Sequence, residues 1–385
     1  MNPSYPIDIE PKLLDLPAKP KILLIRLSAL GDIIQTLPIL PLIRKAQPDA
    51  HIGWAIDSDF VASIQGHRDI DQIHPFQRKK WSKSLSRPSE WGKTLNELDH
   101  FFKEIQSVGY DVALDVQGLF KTGLLTYLSG AKHRVGFAHK REGCGIFYQH
   151  AYLNRKQYHH PHLLHVDHMA LLTRTIGAKE EPHTVDLPPV SAAVEQKVTK
   201  LLTDKFLNDK SIVVIAPGTQ WESKLWREKN WIELVKNLID RSAFNIVFVG
   251  APGDKELVGR IVSQLPPSER ILNLAGQTNI PELYALCGQV QALVACDSAP
   301  LHIAGAAHVP HVFGIFGPTA KARTAPIGSP NTVIFSSEDE LNCQPCHKRV
   351  CPLGTGECLE RVTPQAISNA LIDTVPQSGA VKTIR

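Results

Sequence analysis

The sequence predicts an α/β protein of two domains, each with a parallel sheet flanked by helices. Short apolar runs alternate with amphipathic segments along the chain, and a polar, Pro-rich stretch at residues 177–192 interrupts that alternation once. A chain of 385 residues also exceeds what one ordinary core fills. We therefore expect a first domain over residues 20–180 and a second over residues 190–362.

The composition excludes several classes of protein. Hydrophobic residues make up 43% of the chain and charged residues 21%, which are near globular averages and argue against a disordered or fibrous protein. The net charge of +4 does not indicate a nucleic-acid-binding protein, although a mild basic excess suits an anionic substrate or lipid surface. Because no apolar run reaches membrane-spanning length and the first residues lack a signal-peptide pattern, we expect a cytoplasmic protein.

In the first half, the apolar run at residues 21–27 predicts a buried strand, which ends in Ser-Ala-Leu-Gly. An apolar stripe after Gly31 predicts a helix that Pro38 and Pro41 kink or break. Residues 78–97 are basic and Ser-rich, so we expect an exposed excursion there. The other predicted elements of this half are strands at 51–56, 72–76 and 111–116 and a helix at 119–128.

The same alternation restarts after the Pro-rich stretch. The predicted strands are 211–216, 245–250, 271–274, 292–296 and 311–316, and the predicted helices are 229–241, 254–265, 281–290 and 299–307. Two Rossmann-like domains facing across a cleft make up the GT-B architecture, which length and alternation alone do not separate from other tandem α/β enzymes. In GT-B enzymes the C-terminal helix crosses back to the first domain, so we expect residues 363–385 to form such a helix followed by a tail.

An acidic residue marks the first strand-to-helix turn. Asp32 follows Gly31 in the sequence Ser-Ala-Leu-Gly-Asp, at the crevice edge where open α/β sheets bind ligands. A carboxylate there suits a general base, although a lone Asp near a helix start more often only caps the helix. The turn lacks the GxGxxG pattern of nicotinamide-binding proteins.

Two further turns suit an anion. Thr219 follows Ala-Pro-Gly at the end of a predicted strand, and Lys224 comes five residues later. Main-chain N–H groups, a hydroxyl and a cation together indicate a diphosphate site, although lysines after strands are common. Gly317, Pro318 and Thr319 repeat the pattern of a glycine turn with a hydroxyl after another strand.

The segment from Cys296 to Ala306 carries a more specific pattern. Asp297 and Ser298 end a predicted strand, and Ala299 opens a helix of small residues whose N–H groups point at the crevice. His302 lies one turn inside that helix. The alternative is a capped helix with a buried, satisfied histidine.

Several of these motifs together resemble glycosyltransferase family 9, the bacterial ADP-heptose:lipopolysaccharide heptosyltransferases. The resemblance runs from about residue 21 to residue 375 and rests on motifs in the same order as in the family, several of which look closer to heptosyltransferase I than to II. They are SALGDIIQTLP, DVQGLFKTGLL, GTQWESKLW, DSAPLHIAGA, FGPT and CPLGTGEC.

The resemblance implies an inverting transfer of heptose from ADP-heptose to the Kdo or heptose of the lipopolysaccharide inner core, without a catalytic metal. It also implies a lipid A–Kdo acceptor at the cytoplasmic face of the inner membrane, where the protein would be peripheral. By the resemblance, Asp32 is the general base, Lys224 binds the diphosphate with Thr219 nearby, and Asp254 lies near the nucleoside ribose. Asp297, Ser298 and His302 match the helix start around the phosphates and heptose.

One position departs from the family pattern. Ala299 stands where the family often has Gly, which adds a methyl group at a close backbone approach and makes a different donor or pose conceivable. The alternatives are a family-9-like transferase with another nucleotide-sugar or a protein acceptor, and a non-catalytic nucleotide-sugar-binding module. A pure binding module has no need of a base such as Asp32.

Seven cysteines divide into two groups. Cys144, Cys287 and Cys296 are scattered, and we expect them to be small core residues. Cys343, Cys346, Cys351 and Cys358 are dense and suit a structural zinc or iron site remote from the chemistry, although four reduced thiols or disulfides formed on purification fit equally well. By the resemblance, some members of the family that act on autotransporter proteins carry a comparable cluster.

Overall fold

The computed structural model describes residues 9–138, 141–158, 163–179, 185–206 and 210–378, with only the main chain of Arg141. The chain forms two compact units, Met1–Pro188 and Pro189–Arg385, so it divides inside the Pro-rich stretch. Residues 180–184 of that stretch and residues 379–385 of the predicted tail lie outside the described residues.

The first unit alternates strands and helices as expected. Its strands are β1 (Lys21–Ile25), β2 (His51–Asp57), β3 (Gln72–Phe76), β4 (Val112–Asp115), β5 (His133–Phe137) and β6 (His150–Tyr152). Its α-helices are α1 (Leu30–Ile34), α2 (Ile39–Ala46), α3 (Arg78–Leu85), α4 (Trp91–Val108), α5 (Phe120–Leu128), α6 (Arg155–Tyr158) and α7 (His165–Thr173), and its 3₁₀ turns are Ser58–Ser63, Pro88–Glu90, Arg141–Phe147 and Arg174–Ile176.

The second unit repeats the pattern. Its strands are β7 (Ile212–Ala216), β8 (Asn245–Phe248), β9 (Ile271–Asn273), β10 (Ala292–Cys296), β11 (His311–Phe316) and β12 (Asn331–Ser336). Its α-helices are α8 (Ala192–Lys205), α9 (Glu228–Arg241), α10 (Lys255–Ser263), α11 (Ile280–Cys287), α12 (Ala299–Ala306), α13 (Lys321–Thr324), α14 (Glu357–Glu360) and α15 (Pro364–Thr374), with 3₁₀ turns at Glu222–Lys224 and Pro252–Asp254.

Both sheets are six-stranded, and their strand orders are β3-β2-β1-β4-β5-β6 and β12-β11-β10-β7-β8-β9. All pairings are parallel, with Ile22 opposite Val112 at the β1–β4 pair and Val213 opposite Ala292 at the β7–β10 pair. Each order is that of a Rossmann-like domain, so the predicted α/β fold is confirmed. The strand order reverses between β1 and β4 and between β7 and β10, where such sheets bind ligands.

Two local predictions have different outcomes. The predicted helix after Gly31 breaks into α1 and α2 around Pro38, because proline cannot continue the hydrogen-bond pattern of a helix. Residues 78–97 are mostly exposed, as predicted, but they are helical and not an irregular excursion. Those residues form α3 and the start of α4, and Trp81 is buried with its ring centre 4.9 Å from that of Phe76 and 5.6 Å from that of Phe101.

The second unit closes its core with the C-terminal helix. Ile367 and Leu371 of α15 are fully buried in the same apolar cluster as Trp231 of α9, and Arg241 of α9 donates a hydrogen bond to Asn369 at 2.9 Å. The helix therefore belongs to the packing of the second unit, and the predicted crossing to the first stays a prediction. No helix in the described ranges has the length and apolar character needed to span a membrane.

Candidate active site

Asp32 lies in α1, directly after the turn that follows β1. Its carboxylate forms an ion pair with Arg26 at 2.7 Å and accepts the N–H of Ala29 at 3.2 Å. The Asp32 side chain remains 44% exposed, whereas that of Arg26 is only 4% exposed. Asp32 therefore does form local contacts at the helix start, and it also presents a carboxylate to solvent at the switch point of the first sheet.

Arg26 is held from several sides. Its guanidinium donates to the carbonyl of Val116 at 2.8 Å and lies 3.4 Å from Nε2 of His165. Gln117 joins the two strand ends, because its side-chain oxygen accepts the N–H of Leu27 at 2.8 Å. These bonds fix Arg26, and Arg26 in turn orients the carboxylate of Asp32.

A buried carboxylate supports the neighbouring loop. Asp115 accepts N–H groups from Gln117 and Gly118 at 2.9 and 3.0 Å and the hydroxyl of Tyr148 at 2.7 Å. Burial raises the pKa of Asp115 above its usual value despite these bonds. Its role is to shape the loop after β4 rather than to meet a substrate.

In the second unit, Asp297 lies at the carboxyl end of β10 and contacts several of the other predicted site residues. Its buried carboxylate accepts Nζ of Lys224 at 2.7 Å and the hydroxyl of Thr319 at 2.6 Å, and Nε2 of His302 lies 3.6 Å away. Although burial alone would raise it, the pKa of Asp297 is held well below its usual range by His302 and by the charge of Lys224. The cluster therefore contains an ionised carboxylate, a cation and a hydroxyl.

The start of α12 adjoins this cluster. Ser298 is the residue before the helix, and in the described parts of the chain its buried hydroxyl oxygen has no hydrogen-bond partner. Ala299 is half-buried, and Pro300 follows it in the first turn. A buried hydroxyl without a partner beside a helix start is a suitable position for a ligand oxygen.

Asp254 lies at the loop after β8, against the first glycine turn. A Cβ atom on Gly218 would stand 2.3 Å from Cγ of Asp254, so this contact requires glycine at position 218. The carboxylate accepts the N–H of Ala251 at 2.8 Å, and burial raises the pKa of Asp254. Thr219 follows Gly218 and is half-buried, so Asp254 and Thr219 adjoin the same turn.

The four C-terminal cysteines line one small cavity. In the parts of the chain that the structure describes, no three potential ligands already stand in a metal-binding arrangement, so the thiols would have to turn inward to hold a metal. N–H groups, Gly356 foremost, lower the pKa of the Cys351 thiol, whereas burial and the other three thiols raise that of Cys358. Cys144, Cys287 and Cys296 are buried as predicted.

This cavity is not remote from the predicted donor residues. Its loop donates the N–H of His347 to the carbonyl of Pro318, and the carbonyl of Arg349 accepts the N–H of Ser223. The loop thus packs directly on both predicted phosphate turns, and the expected distance of the cluster from the chemistry stays a prediction.

Sequence reasoning missed the partners of the predicted residues. Arg26 carries a charge at the end of a buried apolar run, a signal that was present in the sequence. Thr319 stood out only as a hydroxyl on a glycine turn, and its bond to Asp297 needs the tertiary structure.

The comparisons with known proteins agree on one family. The sequence profile of glycosyltransferase family 9 (heptosyltransferase) matches residues 99–356. The lipopolysaccharide heptosyltransferase 1 of Pseudomonas aeruginosa is 26% identical over 371 residues, which cover 91% of this chain and 97% of that protein.

Two solved structures share the fold. A family 9 glycosyl transferase from Veillonella parvula superposes with a TM-score of 0.73 at 19% identity, covering 91% of this chain and 96% of that one. The Escherichia coli heptosyltransferase WaaC with ADP superposes with a TM-score of 0.68 at 20% identity, covering 92% and 99%. The fold is thus that of the GT-B heptosyltransferases, and the profile match over most of the sequence establishes that the chain belongs to glycosyltransferase family 9.

Proposed function

We propose that this glycosyltransferase moves heptose from ADP-heptose to a Kdo or heptose hydroxyl of the lipopolysaccharide inner core, with inversion and without a catalytic metal ion. The observation that carries the proposal is the cluster of Lys224, Asp297 and Thr319 at the switch point of the second sheet. The similarity to lipopolysaccharide heptosyltransferase 1 over nearly the whole chain supports the donor and the acceptor.

In this proposal, the second unit holds the donor. Lys224 and the N–H groups at the start of α12 stabilise the negative charge that develops on the leaving diphosphate. The Ser298 hydroxyl and Thr219 donate hydrogen bonds to phosphate oxygens. Asp254 lies beside the first glycine turn, a suitable place to accept a ribose hydroxyl.

The first unit supplies the base. Asp32 takes the proton of the acceptor hydroxyl as that oxygen attacks the anomeric carbon from the face opposite the diphosphate. A single displacement of this kind inverts the anomeric configuration. Because Lys224 and helix N–H groups balance the diphosphate charge, we propose that catalysis needs no divalent cation.

The test is a transfer assay with a panel of donors and acceptors. We expect turnover with ADP-heptose and a lipid A–Kdo acceptor, an inverted anomeric linkage in the product by NMR, and full activity in the presence of EDTA. Turnover only with another nucleotide-sugar, or only with a protein acceptor, would overturn the proposed substrates. ADP binding without transfer to any acceptor would indicate a non-catalytic nucleotide-sugar-binding module instead.

We also propose that the protein meets its acceptor at an anionic membrane surface. Phe120, Leu124 and Tyr127 form an exposed apolar stripe on α5, near the 79% exposed Ile146, and the guanidinium of Arg134 lies 5.3 Å from the Tyr127 ring centre. Apolar side chains with adjacent cations suit an interface with acidic lipids. Ile146→Asp should weaken sedimentation with phosphatidylglycerol vesicles, and equal sedimentation of both proteins would contradict this proposal.

The cysteine cavity is the proposed site of a structural metal. Cys343, Cys346, Cys351 and Cys358 are the four thiols around it, and sulfur ligation of this number suits zinc or iron. N–H groups directed at Cys351 favour its thiolate form, which is the form that binds metal. When bound, the metal would tie together the loop that carries these residues.

A further inference from the structure

The loop of residues 343–358, here called the cysteine loop, is bonded to the turn that bears Lys224. The N–H of Ser223 donates to the carbonyl of Arg349 at 3.1 Å, and the Ser223 hydroxyl donates to the carbonyl of Lys348 at 2.5 Å. Two hydrogen bonds to adjacent carbonyls fix the position of the Glu222–Lys224 turn relative to this loop.

The cysteine loop also contacts the second glycine turn. The N–H of His347 donates to the carbonyl of Pro318 at 2.8 Å. A Cβ atom on Gly317 would stand 3.3 Å from Sγ of Cys358 and 2.8 Å from Cγ of Leu359, so the two segments are in close contact. One loop therefore touches both turns that the proposed function assigns to the diphosphate.

The residues just beyond the loop anchor it further. The indole N–H of the buried Trp226 is shared by the carbonyls of Leu359 at 3.2 Å and Val362 at 3.0 Å. Arg227 forms an ion pair with Glu360. The middle and the C-terminal end of the segment 217–227 are thus bonded to the cysteine loop or to the residues that follow it.

Arg349 of the cysteine loop is a second cation beside the aromatic ring that Lys224 contacts. The Trp221 ring centre lies 4.6 Å from Nζ of Lys224 and 5.8 Å from the guanidinium carbon of Arg349. Lys224 pairs with Asp297, whereas Arg349 makes no ion pair within the described ranges and its side chain is exposed. The surface beside Trp221 therefore has a positive charge that the protein itself does not balance.

We propose that the cysteine loop completes the donor site and that Arg349 binds the diphosphate of the nucleotide-sugar. The proposal rests on the proposed function, because it assigns a further residue to the same site. A guanidinium suits this task, since its planar set of N–H groups can bind two phosphate oxygens at once. Trp221 orients the guanidinium through a cation–π contact, which leaves its N–H groups directed outward.

The experiment compares ADP with adenosine as ligands in calorimetry. Arg349→Ala should weaken ADP binding about tenfold, because it removes charge-assisted hydrogen bonds, and should change adenosine binding less than twofold. Lys348→Ala is the matched control: it removes an exposed neighbouring cation of the same loop whose bond to Ser223 uses only its main chain. We expect that control to bind ADP as the wild type does.

Three results would overturn the inference. ADP affinity unchanged in Arg349→Ala excludes a diphosphate contact. An equal loss of ADP and adenosine affinity means that Arg349 only supports the loop, and an equal loss of ADP affinity in Lys348→Ala means that general surface charge is the cause.

The design also separates this inference from the proposed function. If Lys224→Met weakens ADP binding and Arg349→Ala does not, the donor site stands and only Arg349 is misassigned. If the wild-type protein binds neither ADP nor ADP-heptose, the proposed donor fails and the inference fails with it.

Discussion

Asp297 determines how the candidate donor residues are arranged, because its buried charge must be balanced inside the second unit. Lys224 and Thr319 bind one of its oxygens, and His302 lies near the other. An unpaired buried carboxylate is strongly unfavourable, so these contacts stabilise the fold before any ligand arrives. Lys224 therefore has two roles in this account: it pairs with Asp297, and it faces the proposed diphosphate.

The two roles can be separated by mutation. Lys224→Met removes the cation that pairs with the buried Asp297 carboxylate and leaves only Thr319 and His302 beside it, so the free energy of unfolding of the second unit should fall by up to about 3–5 kcal/mol. The double variant Lys224→Met with Asp297→Asn should recover most of that stability, but not the affinity for ADP. Thermal unfolding measures the first effect and calorimetry measures the second.

Lys321→Met is the control for this series, since it breaks an exposed pair with Asp339 and should change stability little. If Lys224→Met unfolds at the same temperature as the wild type, the pair with Asp297 does not stabilise the fold. If the double variant binds ADP normally, Lys224 is not a donor residue.

Gly218 is a second position that determines the local geometry of the candidate site, because a single added carbon atom there meets a neighbouring side chain. A methyl group there would collide with the carboxylate of Asp254, at 2.3 Å from its Cγ, and would displace either that side chain or the turn. We expect Gly218→Ala to lower the unfolding temperature and to weaken adenosine binding. Gly259→Ala on the outer face of α10 meets no atom within 4 Å and should be neutral or slightly stabilising. Equal behaviour of the two variants would show that the Asp254 contact is unimportant.

At the scale of secondary-structure elements, the strands were predictable because they are short, continuous apolar runs. The predicted range 72–76 matches β3, 292–296 matches β10 and 311–316 matches β11. β10 and β11 are buried inside a parallel sheet, and such burial leaves a clear signature in the sequence. β3 lies at the edge of its sheet, and only His74 of it is buried.

The segment 78–97 shows what such reasoning misses. Its charge and serine content predict exposure, and most of its residues are exposed. Trp81 nevertheless packs between Phe76 and Phe101 and holds α3 in place. One buried aromatic residue in an otherwise exposed helix carries little periodicity, so the sequence indicates neither the helix nor this tertiary contact.

For the cysteine loop, we predict the effect of removing a bound metal. If its four thiols hold a metal, removal of the metal by a chelator should lower the unfolding temperature and weaken ADP binding, because the loop is bonded to Ser223 and Pro318. Elemental analysis of protein purified without affinity-column metal should find about one equivalent of zinc or iron. Less than a tenth of an equivalent of either metal, with four titratable thiols, would leave reduced cysteines as the explanation.

At the scale of the whole molecule, the chain repeats one strand order in two units. The alternation of strands and helices predicted that architecture, and the order of the motifs identified the family. The proposed base and the proposed donor residues could be placed at strand ends from sequence alone, because ligands bind at the carboxyl ends of parallel strands. The contacts of Thr319 with Asp297 and of Arg349 with Trp221 could not be predicted in this way, because they join residues far apart in the chain.

The proposed function places the general base in the first unit and the donor-binding residues in the second. The most direct test is a pair of measurements on Asp32→Asn: kcat for heptose transfer from ADP-heptose and Kd for ADP. We predict that kcat falls by about 10²–10⁴, because the acceptor hydroxyl loses its general base, while Kd stays within about twofold of the wild type. Near-normal turnover in this variant, or a loss of ADP affinity as large as the loss of kcat, would contradict the account.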